Sequence, residues 1–181
     1  MPRSHRDKAA GVFHVYTHAV WAADALYRDD VDRTVFLREL VRAGAKVEWD
    51  CLAFCLMDTH YHLLLEVDDG ALPRGMHSLN FRYAMQFNDR HSMKGHVMGA
   101  RYDSVRVEDD EHLLSAFKYV VLNPVEAALV ASPADWPWSG YAGTVGLADP
   151  HTFVADSRVL SALGTTSARA TGALRTFVED S

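Results

Sequence analysis

The chain has 181 residues, of which 49% are hydrophobic and 23% are charged, and its formal net charge is −6. A chain of this length can bury one globular core, and no apolar run approaches the roughly 20 residues that cross a bilayer, so we predict one domain without a membrane segment. The negative charge disfavours a general nucleic-acid coat protein, because such proteins bind phosphate through many Lys and Arg side chains.

The first half of the chain predicts strand, helix, strand and strand. Alternation and β-branched residues indicate a strand over 11–20. Acidic residues at the start and apolar periodicity indicate a helix of about three turns within 28–46, with Gly44 as its stop. Two apolar runs, 46–57 and 60–67, predict strands joined by a hairpin turn at Asp58-Thr59.

The second half predicts helix, strand and helix. A helix is expected over 72–91, with Pro73 near its start, and a flexible loop followed by a strand over 92–107. A further helix begins after 108, reaches Asn123 and is expected to be interrupted by Pro124.

This element order predicts an α+β fold, a ferredoxin-like split βαβ sandwich. Its antiparallel sheet would carry helices on one face, with an added C-terminal helix that bears a tyrosine. We expect a flexible N-terminus over 1–10, the main domain over 11–145, and a C-terminal tail with a possible short helix over 146–181.

The two cysteines and the first residues of the chain predict the cellular compartment of the protein. Cys51 and Cys55 lie four residues apart in a predicted strand, too far for a disulfide, so we expect both to be reduced and buried. The opening MPRSHRDKAAG lacks the apolar middle of a secretory signal. We therefore expect a cytoplasmic protein.

Positive charge is concentrated between residues 74 and 106. This window contains six Lys and Arg residues against two Asp, with three His in addition. It predicts either a local surface that faces phosphates or, more simply, a solvated helix face and loop.

Two histidines, His60 and His62, lie one residue apart in the apolar run CLMDTHYHLLLEV. Because side chains alternate along a strand, both should share one face, while Tyr61 should pack its ring under the sheet. Two imidazoles on one face can bind one metal ion together. They can equally be two hydrogen-bonded histidines at the end of a strand.

A second pair, Tyr119 and Asn123, lies four residues apart on the last predicted helix and so projects from one face. Alone, the pair is also explained by a packed tyrosine and an asparagine that caps the helix before Pro124. If this helix crosses the sheet, Asn123 could reach an ion held by the two histidines. Such a donor set with open positions suits Mg²⁺ or Mn²⁺, and the tyrosine beside it would be a nucleophile for a phosphodiester.

The segments LMDTHYHLLLEV and FKYVVLNPVEAALV together resemble the His-hydrophobic-His (HUH) motif and tyrosine helix of single-tyrosine transposases, in particular the REP-associated (RayT-like) branch. The resemblance covers roughly 11–143. It implies that His60, His62 and Asn123 bind the metal ion and that Tyr119 is the nucleophile. The family cleaves and rejoins single-stranded DNA, often at hairpin-forming repeats, and keeps the 5′ end on the tyrosine.

The resemblance also implies partners for the rest of the chain. Strand-binding candidates are Arg82, Arg90, Lys94 and Arg101, and His96 or Tyr102 would contact or stack on a base. We expect a bacterial monomer or homodimer that binds single-stranded or hairpin DNA, associates with the nucleoid when bound, and does not enter membranes.

Three departures from the family pattern lie beside the predicted site, one of which is the polar-tipped Tyr61 at the hydrophobic middle position of the motif. Asp58-Thr59 replaces the usual proline-asparagine turn, and His18 stands where an arginine is usual. With the acidic net charge, they leave open a domesticated, non-catalytic nucleic-acid-binding module of the same fold. A separate alternative is a metal-dependent hydrolase of small phosphoesters, which would use water and tolerate Tyr119→Phe.

Overall fold

The computed structural model describes residues 9–19, 25–99, 101–164 and 167–180. Most of the predicted N-terminal segment 1–10, and the end of the first predicted strand at Val20, lie outside these ranges. The elements of the sandwich are β1 (Gly11–His18), α1 (Asp30–Val47), β2 (Asp50–Leu56), β3 (His60–Val67), α2 (Ala71–Arg90), β4 (Asp103–Val107) and α3 (Asp110–Glu126). The C-terminal part adds a short 3-10 helix (Pro133–Asp135), α4 (Tyr141–Thr144), α5 (Ser157–Ala162) and α6 (Ser167–Glu179). Within the described ranges, no helix has both the length and the apolar character needed to cross a bilayer.

The four strands form one antiparallel sheet in the order β2-β3-β1-β4. This order is that of the split βαβ sandwich, and the predicted fold class is confirmed. The two-residue turn at Asp58-Thr59 is also confirmed, because the Met57 amide donates to the His60 carbonyl at 2.9 Å.

Each face of the sheet covers a separate apolar core. Alternate residues of β3, beginning with Tyr61 and Leu63, pack with α1 and α2, whereas Leu64 packs with α3 on the opposite face. Tyr61 is buried as predicted, with its ring 4.8 Å from that of Phe36 and its hydroxyl donating to Asn80 Oδ1 at 2.9 Å. The imidazoles of His60 and His62 are therefore directed to the α3 face.

Helix α1 is longer than predicted, because Gly44 does not stop it. The helix has 18 residues, about five turns, and ends at Val47, with Glu48 in the left-handed conformation (φ 59°) and its amide bonded to the Gly44 carbonyl. A Cβ on Gly44 would lie 2.5 Å from Trp49 Nε1, and one on Gly75 of α2 would lie 2.2 Å from the same indole. Both glycines thus make room for Trp49 between the two helices.

Helix α3 continues through Pro124 to Glu126, so the predicted interruption is wrong. A proline inside a helix deprives one carbonyl of its donor, but here only two helical residues follow it, and the Ala127 amide still bonds to the Asn123 carbonyl at 3.0 Å. Behind the helix, the Lys118 ammonium donates to the Phe177 carbonyl of α6 at 2.9 Å. Helix α6, together with α5, therefore supports the outer side of α3.

The outer edge of β2 is covered by the tryptophan-bearing segment that follows α3. The Leu56 amide donates to the Trp138 carbonyl at 2.8 Å, and Trp136 Nε1 donates to the Leu56 carbonyl at 3.1 Å. In β2 itself, Cys51 and Cys55 are free and buried, as predicted. A shift in strand register after Cys51 places the two thiols in the two different cores.

One buried hydroxyl suggests a stabilising substitution. Among the described residues, the Tyr27 hydroxyl is buried and has no hydrogen-bond partner. Burying an unsatisfied hydroxyl costs free energy, so we expect Tyr27→Phe to raise the free energy of unfolding by about 1 kcal/mol. Urea denaturation of the two proteins measures this, and a loss of stability would show that the hydroxyl does have a partner.

Candidate active site

Strands β1 and β3 place a group of aromatic and imidazole side chains on the α3 face of the sheet. His18 lies opposite His60, and Tyr16 lies opposite His62. Because every second residue of a strand shares a face, His14 joins this group. The ring centroids of His60 and His62 are 5.0 Å apart, and those of His18 and His60 are 5.1 Å apart.

Helix α3 closes the group into a cavity of about 520 Å³. The predicted residues His60, His62, Tyr119 and Asn123 all line it. The structure thus brings together two side chains of one strand and two of a helix about sixty residues further along the chain.

Tyr119 combines exposure with closeness to the imidazoles. Its side chain is 47% exposed, and its ring centroid lies 5.5 Å from that of His62 and 5.5 Å from that of His14. The ring meets His62 edge-on, at 89°. A large ligand could therefore reach the phenol from solvent while touching the histidines behind it.

Asn123 connects the tyrosine helix to the strand. Its Nδ2 donates to the Tyr119 carbonyl at 2.8 Å, one turn back along α3. Its carboxamide also lines the cavity beside His60 and His62, and its interaction with the two imidazoles opposes part of the lowering of their pKa values. The three side chains therefore meet at one point.

Burial keeps the imidazoles of His14, His60 and His62 neutral. Burial, together with the neighbouring His14 and His60, lowers the pKa of His62 to about 3, and burial with His112 lowers the pKa of His14 to about 4. Burial also lowers the pKa of His60, with a contribution from His18. Metal ions bind the neutral form of imidazole, which is the form present at neutral pH.

The hydrogen bonds of the histidines leave one nitrogen of each for a ligand. His62 Nδ1 lies 2.9 Å from His14 Nε2, and His60 Nδ1 lies 3.1 Å from Thr59 Oγ1. Such contacts orient metal-binding imidazoles in other proteins, where the second nitrogen binds the ion. No cluster of three or more His, Cys, Asp and Glu side chains in the described ranges is arranged to hold a metal ion, so a site here needs the Asn123 carboxamide as its third donor. Two imidazoles and a carboxamide fit a divalent cation with open coordination positions.

The predicted strand-binding residues are spread over the other face of the molecule. His96, Arg101 and Tyr102 line a groove beside α2, and Arg82 lines a neighbouring cavity. Lys94 is exposed in the loop that follows α2.

Arg90, the remaining strand-binding candidate, is engaged in ion pairs within the fold. Its guanidinium pairs with Asp29 and Asp32 at the start of α1, at 2.6 Å each. Hydrogen bonds from Arg90 lower the pKa of Asp29 to about 2. The structure thus uses Arg90 to join α2 to α1, and its charge is already compensated.

His14 and His112 were missed as site residues in the sequence, although both line the cavity. The strand FHVYTH carries a polar ring at every second position, which is the same alternation that singled out His60 and His62. That pattern could have identified His14. No comparable signal marks His112, which is an isolated histidine in the first turn of α3.

The turn before His60 is anchored by Arg33 of α1. Its guanidinium pairs with the Asp58 carboxylate, and its Cζ lies 5.5 Å from the ring of Trp138 and 5.6 Å from that of Tyr27. Because Asp58 is 60% exposed, the ion pair contributes less than the packing of the buried arginine between the rings.

We expect Arg33→Ala to lower the free energy of unfolding by about 2 kcal/mol, since it removes a buried side chain and its cation–π contacts. Arg42→Ala is the matched control, because Arg42 is exposed on the same helix and should change stability by under about 0.5 kcal/mol. Urea denaturation compares the two, and equal effects would contradict an anchoring role for Arg33.

Comparisons with known proteins identify the family of this chain and agree with its fold. The profile of the family described as "Transposase IS200 like" matches residues 11–123. Similar solved structures include a REP-associated tyrosine transposase bound to a REP hairpin, with a TM-score of 0.66, 16% identity, and coverage of 81% of this chain and 86% of that one. A transposase from Deinococcus radiodurans R1 is 16% identical over 68% of this chain and 97% of its own, with a TM-score of 0.46. No curated protein matches.

Proposed function

The chain belongs to the IS200-like transposase family, and from this premise we propose that it is a metal-dependent endonuclease and strand transferase for single-stranded DNA. The observation that carries the proposal is the single cavity shared by Tyr119, His60, His62 and Asn123. It combines an exposed phenol with three neutral donor groups. All four belong to one chain, which supports action of Tyr119 in its own active site.

Tyr119 is the proposed nucleophile. Its phenolic oxygen attacks the phosphorus of a phosphodiester, and the phenol proton leaves to water, which reaches the exposed side chain. The bond between phosphorus and the 3′ oxygen breaks, and that oxygen takes a proton from water. The 5′ phosphate stays on the tyrosine, and because the phosphodiester energy is retained, a 3′ hydroxyl can attack it later and rejoin a strand.

His60, His62 and Asn123 would hold Mg²⁺ or Mn²⁺. A bound divalent cation would polarise the phosphodiester and favour the ionised form of the attacking phenol. His14 and Thr59 orient the two ligand imidazoles through their Nδ1 contacts. Asn123 also ties the ligand set to the helix turn that carries Tyr119, which keeps nucleophile and ligands together.

We propose hairpin DNA with a single-stranded segment as the substrate. The REP hairpin bound to the similar transposase structure supports this choice. Arg82, Lys94 and Arg101 would contact phosphates, and His96 and Tyr102 would contact a base. Arg90 is left out of this set, since its guanidinium already pairs with two carboxylates.

The test is incubation with a library of single-stranded hairpins and Mn²⁺, followed by mass spectrometry of the protein. A nucleotide adduct on Tyr119 is the expected result. Binding of hairpins without an adduct and without a metal requirement would instead indicate a non-catalytic binding module. Cleavage without an adduct would indicate a hydrolase that uses water.

A further inference from the structure

Helix α2 exposes apolar side chains that none of the described elements covers. Phe81 and Met85 are each 57% exposed, and with Arg74 and His77 they form one stripe at helical spacing. The His77 ring lies stacked on the Phe81 ring, with centroids 6.1 Å apart and 18° between the planes. We call Arg74, His77, Phe81, Arg82 and Met85 the α2 platform.

The surroundings of the α2 platform are basic. It is flanked by one cavity of about 600 Å³ and one of about 970 Å³. The charged residues that line the first are Lys46, Arg74 and Arg82, and those that line the second are Arg74 and Arg101. No Asp or Glu among the described residues lines either cavity, although the whole chain has a net charge of −6. This local charge is complementary to a polyanion.

The larger cavity begins close to the active site. Its wall includes Gly99, whose amide donates to the His18 carbonyl at 2.9 Å, and the side chain of His18 lines the catalytic cavity. Asn80, in the same wall, accepts the hydrogen bond of Tyr61, which lies between His60 and His62 in β3. The end of β1 at His18 therefore contributes to the surroundings of both cavities.

We propose that the α2 platform binds an unpaired nucleotide of single-stranded DNA next to the segment held in the active site. The base stacks on Phe81, which His77 backs, and the flanking phosphates contact Arg74, Arg82 and Arg101. An exposed aromatic ring among guanidinium groups is how proteins bind single strands without reading sequence. A folded protein partner would need a matching acidic surface with an apolar centre, and so explains the stacked rings less directly. The proposal rests on the proposed function in taking DNA as the ligand.

Binding of two DNAs to the uncleaving Tyr119→Phe protein tests the proposal. One is a hairpin alone, and the other carries a single-stranded extension of roughly five nucleotides, within the usual site size of such grooves. By fluorescence anisotropy without metal, Phe81→Ala should weaken binding of the extended hairpin about 5- to 100-fold and change binding of the bare hairpin by about twofold at most. Phe81→Tyr should restore affinity because it keeps the ring, whereas Phe81→Leu should not. Val41→Ala, at an exposed apolar residue of α1, is the control and should leave both affinities unchanged.

Charge and location are tested separately. Arg74→Gln should reduce the slope of log affinity against log salt for the extended hairpin by about 0.7, and Arg169→Gln on α6 should leave the slope unchanged. With 5-iodouracil in the extension, irradiation should attach a nucleotide to the tryptic peptide Gly75–Arg82, which contains His77 and Phe81.

The outcomes separate the α2 platform from the proposed function. If Tyr119 of the unmodified chain forms an adduct but Phe81→Ala binds the extended hairpin like its parent, the platform is wrong and the function stands. If binding depends on Phe81 but no adduct forms, the platform is supported and the cleavage chemistry is wrong. Equal losses for both DNAs, or cross-links confined to other peptides, would overturn the platform.

Discussion

Replacing Tyr119 by phenylalanine should abolish strand cleavage and covalent adduct formation while leaving hairpin binding intact. Phenylalanine keeps the ring that meets His14 and His62 but has no oxygen to attack phosphorus. Losing a covalent nucleophile typically costs roughly 10⁴-fold or more in rate. Because the side chain is half exposed, the substitution should hardly change stability.

The measurement is a nicking assay with a labelled hairpin and Mn²⁺, followed by denaturing electrophoresis for the protein–DNA adduct. Tyr27→Phe is the matched control, since it removes one phenolic hydroxyl from a tyrosine that does not line the cavity and should cleave at the normal rate. Undiminished cleavage by Tyr119→Phe would rule out Tyr119 as the nucleophile and favour hydrolysis by water.

The second large effect is expected from the two histidines of β3. His60→Ala or His62→Ala should weaken Mn²⁺ binding at least about 100-fold, because each removes one of the three donors. Replacing a residue that only orients a metal ligand already costs about 10- to 100-fold in affinity. Cleavage should fall with metal affinity. Asn123→Ala should act in the same direction and should also loosen the contact between α3 and the strand.

Isothermal titration calorimetry with Mn²⁺ measures this affinity without reference to cleavage. His151→Ala is the control, since His151 packs against Phe54 and Phe153 and does not line the catalytic cavity. His62 is almost fully buried, so its variant should also be checked by thermal unfolding, whereas His60 is partly exposed and gives the cleaner comparison. An unchanged Mn²⁺ affinity in both histidine variants would rule out His60 and His62 as the metal ligands.

Much of the site's local arrangement follows from chain geometry. Alternation along β3 predicted that His60 and His62 share a face and that Tyr61 packs on the opposite side, and the structure agrees. Helical spacing likewise predicted that Tyr119 and Asn123 project together. These predictions depend only on the periodicity of a strand or a helix, and that periodicity is set by residues that are close together in the sequence.

Other features depend on contacts that no local pattern contains. Gly44 looks like a helix stop, but its role is to admit Trp49, which comes from the loop after α1 and also touches Gly75 of α2. Arg90 looks like a free cation in a basic window, but the packing of α2 against α1 gives it two carboxylate partners. Pro124 looks like a helix break, but it lies two residues before the last residue of α3, and the helix continues past it.

The sequence alone therefore determines the order of elements from β1 to α3, the shared faces of His60 with His62 and of Tyr119 with Asn123, and the resemblance to a transposase family. The tertiary structure determines that the two halves of the site meet, and that His14 and Asn123 connect them. The reason is physical, because periodicity is a property of adjacent residues. The register of β1 on β3 and the position of α3 over the sheet instead depend on the simultaneous burial of side chains from both ends of the domain.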